Sequence, residues 1–176
     1  MKINRSETAA LVIDYQIKLV PAMNESEKLI ENSCILLKGL KELGIPMYLT
    51  QQYTKGLGMS EDVIYEAAGT TEYIDKISYS AYDLIREKIE DKKYILICGM
   101  ETHICVLQTI IDLREHGYIP VLVTDCVSSR KENDKKFAIK RARDEGAILT
   151  TYEAVLFELL EKAGTDEAKV IQKLIR

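Results

Sequence analysis

Histidine is scarce in this chain: His103 and His116 are the only two among 176 residues. A zinc site normally draws three or four ligands from His, Cys, Asp and Glu at short spacings, so two isolated histidines match no ordinary metal motif. Cysteine occurs four times, at Cys34, Cys98, Cys105 and Cys126, without a C-x-x-C pair. That spacing gives neither a zinc ribbon nor a redox dithiol, and a chain of this size needs no disulfide framework, so the four read as free thiols. Long apolar runs are absent too. None approaches the ~20 residues of a membrane span, and Ala9 to Ile13, following the polar start Met1 to Thr8, is too short for a signal-peptide core. The expected location is cytoplasmic. Lys and Arg are scattered, the net charge is −4 and the pI about 5.4, which leaves no electrostatic footprint for nucleic acid or an anionic membrane. The expected partner is a small molecule. Without low-complexity segments, residues 1–176 read as a single domain around one core.

What is present is alternation. Apolar, β-rich runs fall at Ala9 to Ile13, Pro46 to Thr50, Tyr94 to Cys98, Pro120 to Thr124 and Ala147 to Thr150. Between them helical periodicity predicts helices over Ser26 to Leu43, Thr102 to Glu115, Lys131 to Glu145, Tyr152 to Glu161 and Asp166 to Ile175. Ser26 reads as an N-cap, and Gly44 ends the first helix. Continuous rather than alternating apolar strands fit a parallel sheet covered on both faces, a three-layer α/β/α fold. Tyr53 to Ser80 is too long for an ordinary connection and reads as a lid over a site, with one short strand near Tyr73 to Ile77. Apolar Val170, Ile171, Leu174 and Ile175 give the last helix a potential docking face.

Cys105 follows the strand Tyr94 to Cys98 and lies in the first turn of the helix expected from Thr102. There, unpaired N–H groups and the positive end of the helix dipole favour a thiolate. In doubly wound sheets of order 3-2-1-4-5-6, ligands bind beyond the carboxyl ends of the strands where the order reverses. That topology brings Asp14, at the end of the first strand, across from Cys105, and the chain leaving the third strand brings Lys76 or its neighbours to the same rim. Each has an ordinary structural alternative: a buried core thiol, a turn-capping carboxylate, a solvated lysine.

Taken together, Leu11-Val12-Ile13-Asp14-Tyr15-Gln16, Lys76 before Ser80-Ala81-Tyr82, Gly99-Met100-Glu101-Thr102-His103-Ile104-Cys105-Val106 and Thr124-Asp125-Cys126-Val127-Ser128-Ser129-Arg130 resemble the isochorismatase-like cysteine hydrolases. That family includes nicotinamidases and N-carbamoylsarcosine amidases. The resemblance implies a six-stranded parallel sheet, a catalytic triad of Asp14, Lys76 and Cys105, a cis peptide between Met100 and Glu101, and a homo-oligomer. The chemistry these residue types permit is acyl transfer through a thioester: Asp14 takes the thiol proton, Lys76 stabilises the thiolate, and backbone N–H groups of Glu101 and Cys105 form the oxyanion hole. Tyr15, Gln16, Gln51, Tyr53, Tyr79 and Tyr82 are expected around the substrate. Metal-dependent relatives place histidines where this chain has Gln51-Gln52-Tyr53, so it resembles the metal-free branch, and no cofactor is expected. Two other classes stay open: vinyl ether hydrolysis of the isochorismatase type, which needs no thiol, and a non-enzymatic binding or assembly protein that keeps the fold.

Overall fold

The computed structural model describes residues 1–176. In chain order the elements are β1 (Thr8–Ile13), α1 (Ser26–Glu42), β2 (Met47–Gln52), α2 (Thr54–Leu57), α3 (Asp62–Ala68), β3 (Ile74–Lys76), α4 (Tyr82–Ile85), β4 (Tyr94–Met100), α5 (Leu107–Glu115), β5 (Ile119–Ser128), α6 (Glu132–Asp144), β6 (Ile148–Thr150), α7 (Tyr152–Leu160) and α8 (Asp166–Ile175). The strands form one sheet in the order β3-β2-β1-β4-β5-β6. Every pairing is parallel. This is the expected three-layer α/β/α architecture.

The continuous apolar strands have the expected cause. β1 and β4 lie at the centre and every residue of each is buried, so both faces must be apolar. Alternate residues serve opposite layers. Ala10 and Val12 of β1 join Leu36, Leu37 and Leu40 of α1 and Leu156 of α7 on one face. Ala9, Leu11 and Ile13 join Ile110 and Leu113 of α5 and Ala138 and Ala142 of α6 on the other.

Several local expectations change. The N-cap of α1 is Glu25, in a left-handed conformation and without a side-chain cap, rather than Ser26. The helix expected from Thr102 opens as a π-helical turn, Thr102–Val106, and becomes α-helical only at Leu107. The segment from Tyr53 to Ser80 holds two helices as well as β3. It is stitched down: Gln51 Oε1 accepts from Ser60 N at 2.8 Å, Ser60 Oγ at 3.0 Å and Tyr65 Oη at 2.6 Å. The bounds of α8 match the expectation, but most of its apolar face packs within the chain. Ala168 and Ile171 are core residues, and Leu174 and Ile175 pack against them. Of the expected docking face only Val170, 38% exposed, stays open. No helix is long and apolar enough to cross a membrane.

One backbone approach fixes where the centre of the sheet opens. Gly99 has φ of +129°, and a Cβ there would lie 2.1 Å from the Ile13 carbonyl oxygen, so any side chain pushes β1 and β4 apart. Gly99→Ala is expected to lose at least ~3 kcal/mol of stability in urea denaturation, because a backbone clash cannot be relieved by rotating a side chain. A midpoint within error of the unmodified protein would show that the two strands can yield there.

Candidate active site

Asp14 sits one residue beyond β1 with φ of 58°, a left-handed conformation rare outside glycine. Its N–H donates to the Thr50 carbonyl at 3.1 Å and its own carbonyl accepts from Gln16 N at 2.7 Å, which turns the chain sharply. The carboxylate is thereby aimed along the sheet rim. Oδ1 accepts from Thr50 Oγ1 at 2.8 Å, and Oδ2 lies 2.8 Å from Lys76 Nζ. Neither side chain of this ion pair is exposed.

Lys76 ends the edge strand β3, opposite Gln52 of β2. Besides Asp14, its ammonium meets Gln52 Oε1 at 2.6 Å, the Tyr79 carbonyl at 3.0 Å and the Ser78 carbonyl at 3.4 Å. An ammonium has three protons, and the Gln52, Tyr79 and Ser78 oxygens take all of them, so the contact with Asp14 is one of charge. Lys76 is thus a fixed cation with no donor left for a ligand.

Cys105, 6% exposed, lies in the π-helical turn within hydrogen-bonding reach of Asp14. Its sulfur is 3.9 Å from Gln52 Oε1. Burial, then the Asp14 charge, push the thiol up to about 12 against the pull of Lys76. The pull of a helix start toward thiolate is opposed here, because the turn buries the thiol beside a carboxylate instead of leaving it at an open helix end. Asp14 is raised too, chiefly by burial, with Lys76 and then Thr50 opposing.

The turn itself is held from β5 and the chain after it. The peptide between Met100 and Glu101 is cis. The Glu101 carbonyl accepts from Ile104 N at 3.0 Å and Val106 N at 3.3 Å. The Glu101 carboxylate accepts from Arg130 N and Nε, each at 3.1 Å, so its side chain faces Arg130. His103 Nδ1 pairs with Ser129 Oγ at 2.9 Å. This is what the Thr124 to Arg130 motif does here: it clamps the cysteine turn.

Of the residues expected around the substrate, the structure keeps few. Tyr15 points to the opposite core, where Oη meets Ser33 Oγ at 2.6 Å and donates to the Cys126 carbonyl at 2.8 Å. Tyr82 stacks on His116 at 4.1 Å, at the far end of α5 from Cys105. Gln51 is consumed in tying down the segment after β2. Gln16 clamps the Gln52 backbone, accepting from its N–H at 2.7 Å and donating to its carbonyl at 3.0 Å. Tyr53 and Tyr79 are half-exposed on the rim.

The residue that sequence reasoning missed is Gln52. Strand parity could have found it. In β2, Met47 and Leu49 serve the layer away from Cys105 while Tyr48 serves the Cys105 layer. Gln51 follows the first set; Thr50 and Gln52 follow the second. No group of three or more His, Cys, Asp and Glu side chains is gathered as a metal site.

A sheet of this order with these groups at its switch point defines a class, and comparison with known proteins agrees. The family model described as the isochorismatase domain matches residues 8–154, and the chain belongs to the isochorismatase family, whose members are hydrolases. It is 36% identical over 174 residues to isochorismatase family protein 1B of Dictyostelium discoideum, covering 94% of this chain and 84% of that one. Isochorismatase domain-containing protein 2 of Danio rerio is 30% identical over 181 residues, covering 99% and 89%. Among solved structures, a MAR1 ribonuclease from Caenorhabditis elegans superposes with a TM-score of 0.94 at 34% identity, covering 99% of this chain and 92% of that one. An Escherichia coli protein described as an octameric hydrolase of unknown specificity shares the fold, with a TM-score of 0.90 at 23% identity over 99% and 90% of the two chains.

The buried pair carries a pH signature. Because Asp14 is raised, between its unfolded and folded values the folded protein holds a proton that the unfolded chain has released. Stability therefore falls as pH rises through that window. Lys76→Met removes the main opposing charge and extends the window upward. The variant is expected to lose ~3–5 kcal/mol at pH 8 and clearly less at pH 5, read from urea midpoints. Equal losses at both would show that Asp14 is not the titrating group.

Proposed function

We propose that this protein is a cysteine hydrolase that cleaves a small amide or related C–N bond through a thioester on Cys105, with Asp14 as acid and base and Lys76 as the fixed cation. The observation that carries this is a thiol buried beside a carboxylate that is itself paired at 2.8 Å with a lysine, all three side chains buried. Water is the main competitor for such a nucleophile, and burial excludes it until the site opens.

The sequence of steps conserves protons. Asp14 removes the Cys105 proton as sulfur attacks the carbonyl carbon, and the developing oxyanion is met by the backbone N–H groups of Cys105 and Glu101. Collapse breaks the C–N bond, and the amine leaves with the proton from Asp14. Asp14 then deprotonates water, which attacks the thioester; the thiolate departs and recovers the proton as the acid is released. Lys76 stays charged throughout and stabilises whichever neighbour is anionic.

A second reading comes from the similarity to the MAR1 ribonuclease. RNA can be cleaved by its own 2′-hydroxyl and needs no protein thiol, whereas a chain of net charge −4 without a basic cluster is a poor match for a polyanion. Vinyl ether hydrolysis likewise needs no thiol. The homo-oligomer expected from the resemblance now rests on the octameric fold neighbour rather than on α8, and light scattering at micromolar concentration is expected to give a mass above that of one chain.

The deciding experiment is a screen of amides, ureides and carbamoyl compounds, with RNA alongside. Hydrolysis of a C–N bond is expected, lost in Cys105→Ala and reduced ~10²- to 10⁴-fold in Asp14→Asn, with both variants folded. Exhaustive EDTA treatment is expected to leave kcat/KM unchanged. RNA cleavage that survives Cys105→Ala, with no C–N substrate found, would replace this reading with the second.

A further inference from the structure

Gln52 is the one polar side chain that touches both the cation and the nucleophile without a place in the mechanism above. Its orientation is fixed by chemistry. The Ile77 carbonyl can only accept, so the side-chain group 2.8 Å from it is the NH₂, and Oε1 is turned toward Lys76 Nζ at 2.6 Å. Lysine can only donate, so both ends of the amide agree. Its backbone is clamped on both sides by the Gln16 amide, and the strand register places it opposite Lys76. The same Oε1 lies 3.9 Å from Cys105 Sγ.

We infer that Gln52 is a positioning residue of this site: its amide oxygen takes a Lys76 proton that would otherwise be donated to Asp14 Oδ2, 2.8 Å away, and so sets how strong a base Asp14 presents to the Cys105 thiol. This rests on the triad reading and adds a member to it.

Two terms act on Lys76 Nζ from opposite sides, the Asp14 carboxylate at 2.8 Å and the Gln52 oxygen at 2.6 Å. With Gln52 removed, the ammonium loses a short charge-assisted bond, and the remaining carbonyls of Ser78 and Tyr79 lie on the chain that follows it. The proton that pointed at Gln52 then turns to Asp14. A carboxylate held more tightly by an ammonium is a weaker base. The S–H contact to Oε1 acts in the opposite sense but is long, and a weak sulfur donor at that distance yields to the charged bond. The other charged groups around the turn are committed elsewhere: Glu101 to Arg130, and His103 to Ser129 with Asp134 at 4.0 Å. The pH response of the thiol is therefore governed by Asp14, Lys76 and Gln52.

The test needs no substrate. Iodoacetamide alkylation of Cys105, followed by site-resolved mass spectrometry from pH 5 to 11, reports thiolate formation directly. Gln52→Leu keeps the bulk and removes the acceptor; the rate at neutral pH is expected to fall ~10-fold and the profile to move up by about one pH unit. Gln52→Glu keeps an acceptor for Lys76 but sets a second negative charge beside sulfur, and is expected to move the profile at least as far upward. It also serves as the test should the leucine variant fail to fold. A merely structural glutamine would change the melting temperature and leave the profile of a folded variant where it was. A folded variant with the unmodified protein's profile overturns the inference. Asp14→Asn in the same assay separates the two claims. If it changes alkylation while the Gln52 variants do not, only the positioning role fails; if it has no effect, the triad reading itself fails.

Discussion

The buried ion pair between Asp14 and Lys76 is the constraint on which the rest of the site depends. Two charges taken out of water each cost several kcal/mol, and their attraction offsets this only in good geometry with every remaining donor and acceptor satisfied. The structure supplies most of that geometry from three strands, with Asp14 Oδ2 buried and facing the ammonium but accepting no hydrogen bond. Asp14 comes from the end of β1, Lys76 from the end of β3, and β2 between them contributes Thr50 to the carboxylate and Gln52 to the ammonium. Shifting β2 by one residue would send Gln51 and Leu49 to those places and leave both charges without support. The register of the edge of the sheet and the electrostatics of the site are therefore one problem, solved together.

The same pair explains why the segment after β2 is so firmly fastened. It runs from the oxygen acceptors near Tyr53 round to β3, whose last residue is Lys76, so slack in it would be slack in the cation. Buried Gln16 and Gln51, with the Ser60 and Tyr65 side chains, take up that slack with short hydrogen bonds. These are polar groups in a buried place, tolerable because each finds partners. On the other side of the switch point the cysteine turn is restrained just as closely, by Arg130 on Glu101 and Ser129 on His103.

Much of this was legible in the sequence, and unevenly so for physical reasons. Continuous apolar strands with helices between them announce a covered parallel sheet, and a sheet of that kind fixes where its ligands bind, which is how Asp14 and Cys105 could be paired across some ninety residues. Lys76 needed the resemblance, since nothing in its own neighbourhood marks a lysine bound for burial. Tyr15 was misplaced because proximity in sequence to a site residue says little about which layer a ring enters; Tyr82 enters the Cys105 layer but stacks on His116 at the other end of α5. The residue after Asp14 follows a left-handed turn, and there simple strand parity is lost. Where parity does hold, along β2, it distinguishes Gln52 from Gln51.

The π-helical turn is the feature that sequence patterning could least supply, and it changes the chemistry. A cysteine at an open helix start is activated before any substrate arrives, through the dipole and free N–H groups. Here the turn carries Cys105 inward until burial outweighs those terms and the thiol stays protonated. Activation then depends on a neighbour that can accept the proton, and Asp14, itself raised by burial, is a better acceptor than a solvated carboxylate. Because the same exclusion of water raises both groups, the gap between them grows by less than the thiol's own shift. On the proposed mechanism, a site built this way keeps its nucleophile quiet toward stray electrophiles and reserves the thiolate for the moment of attack.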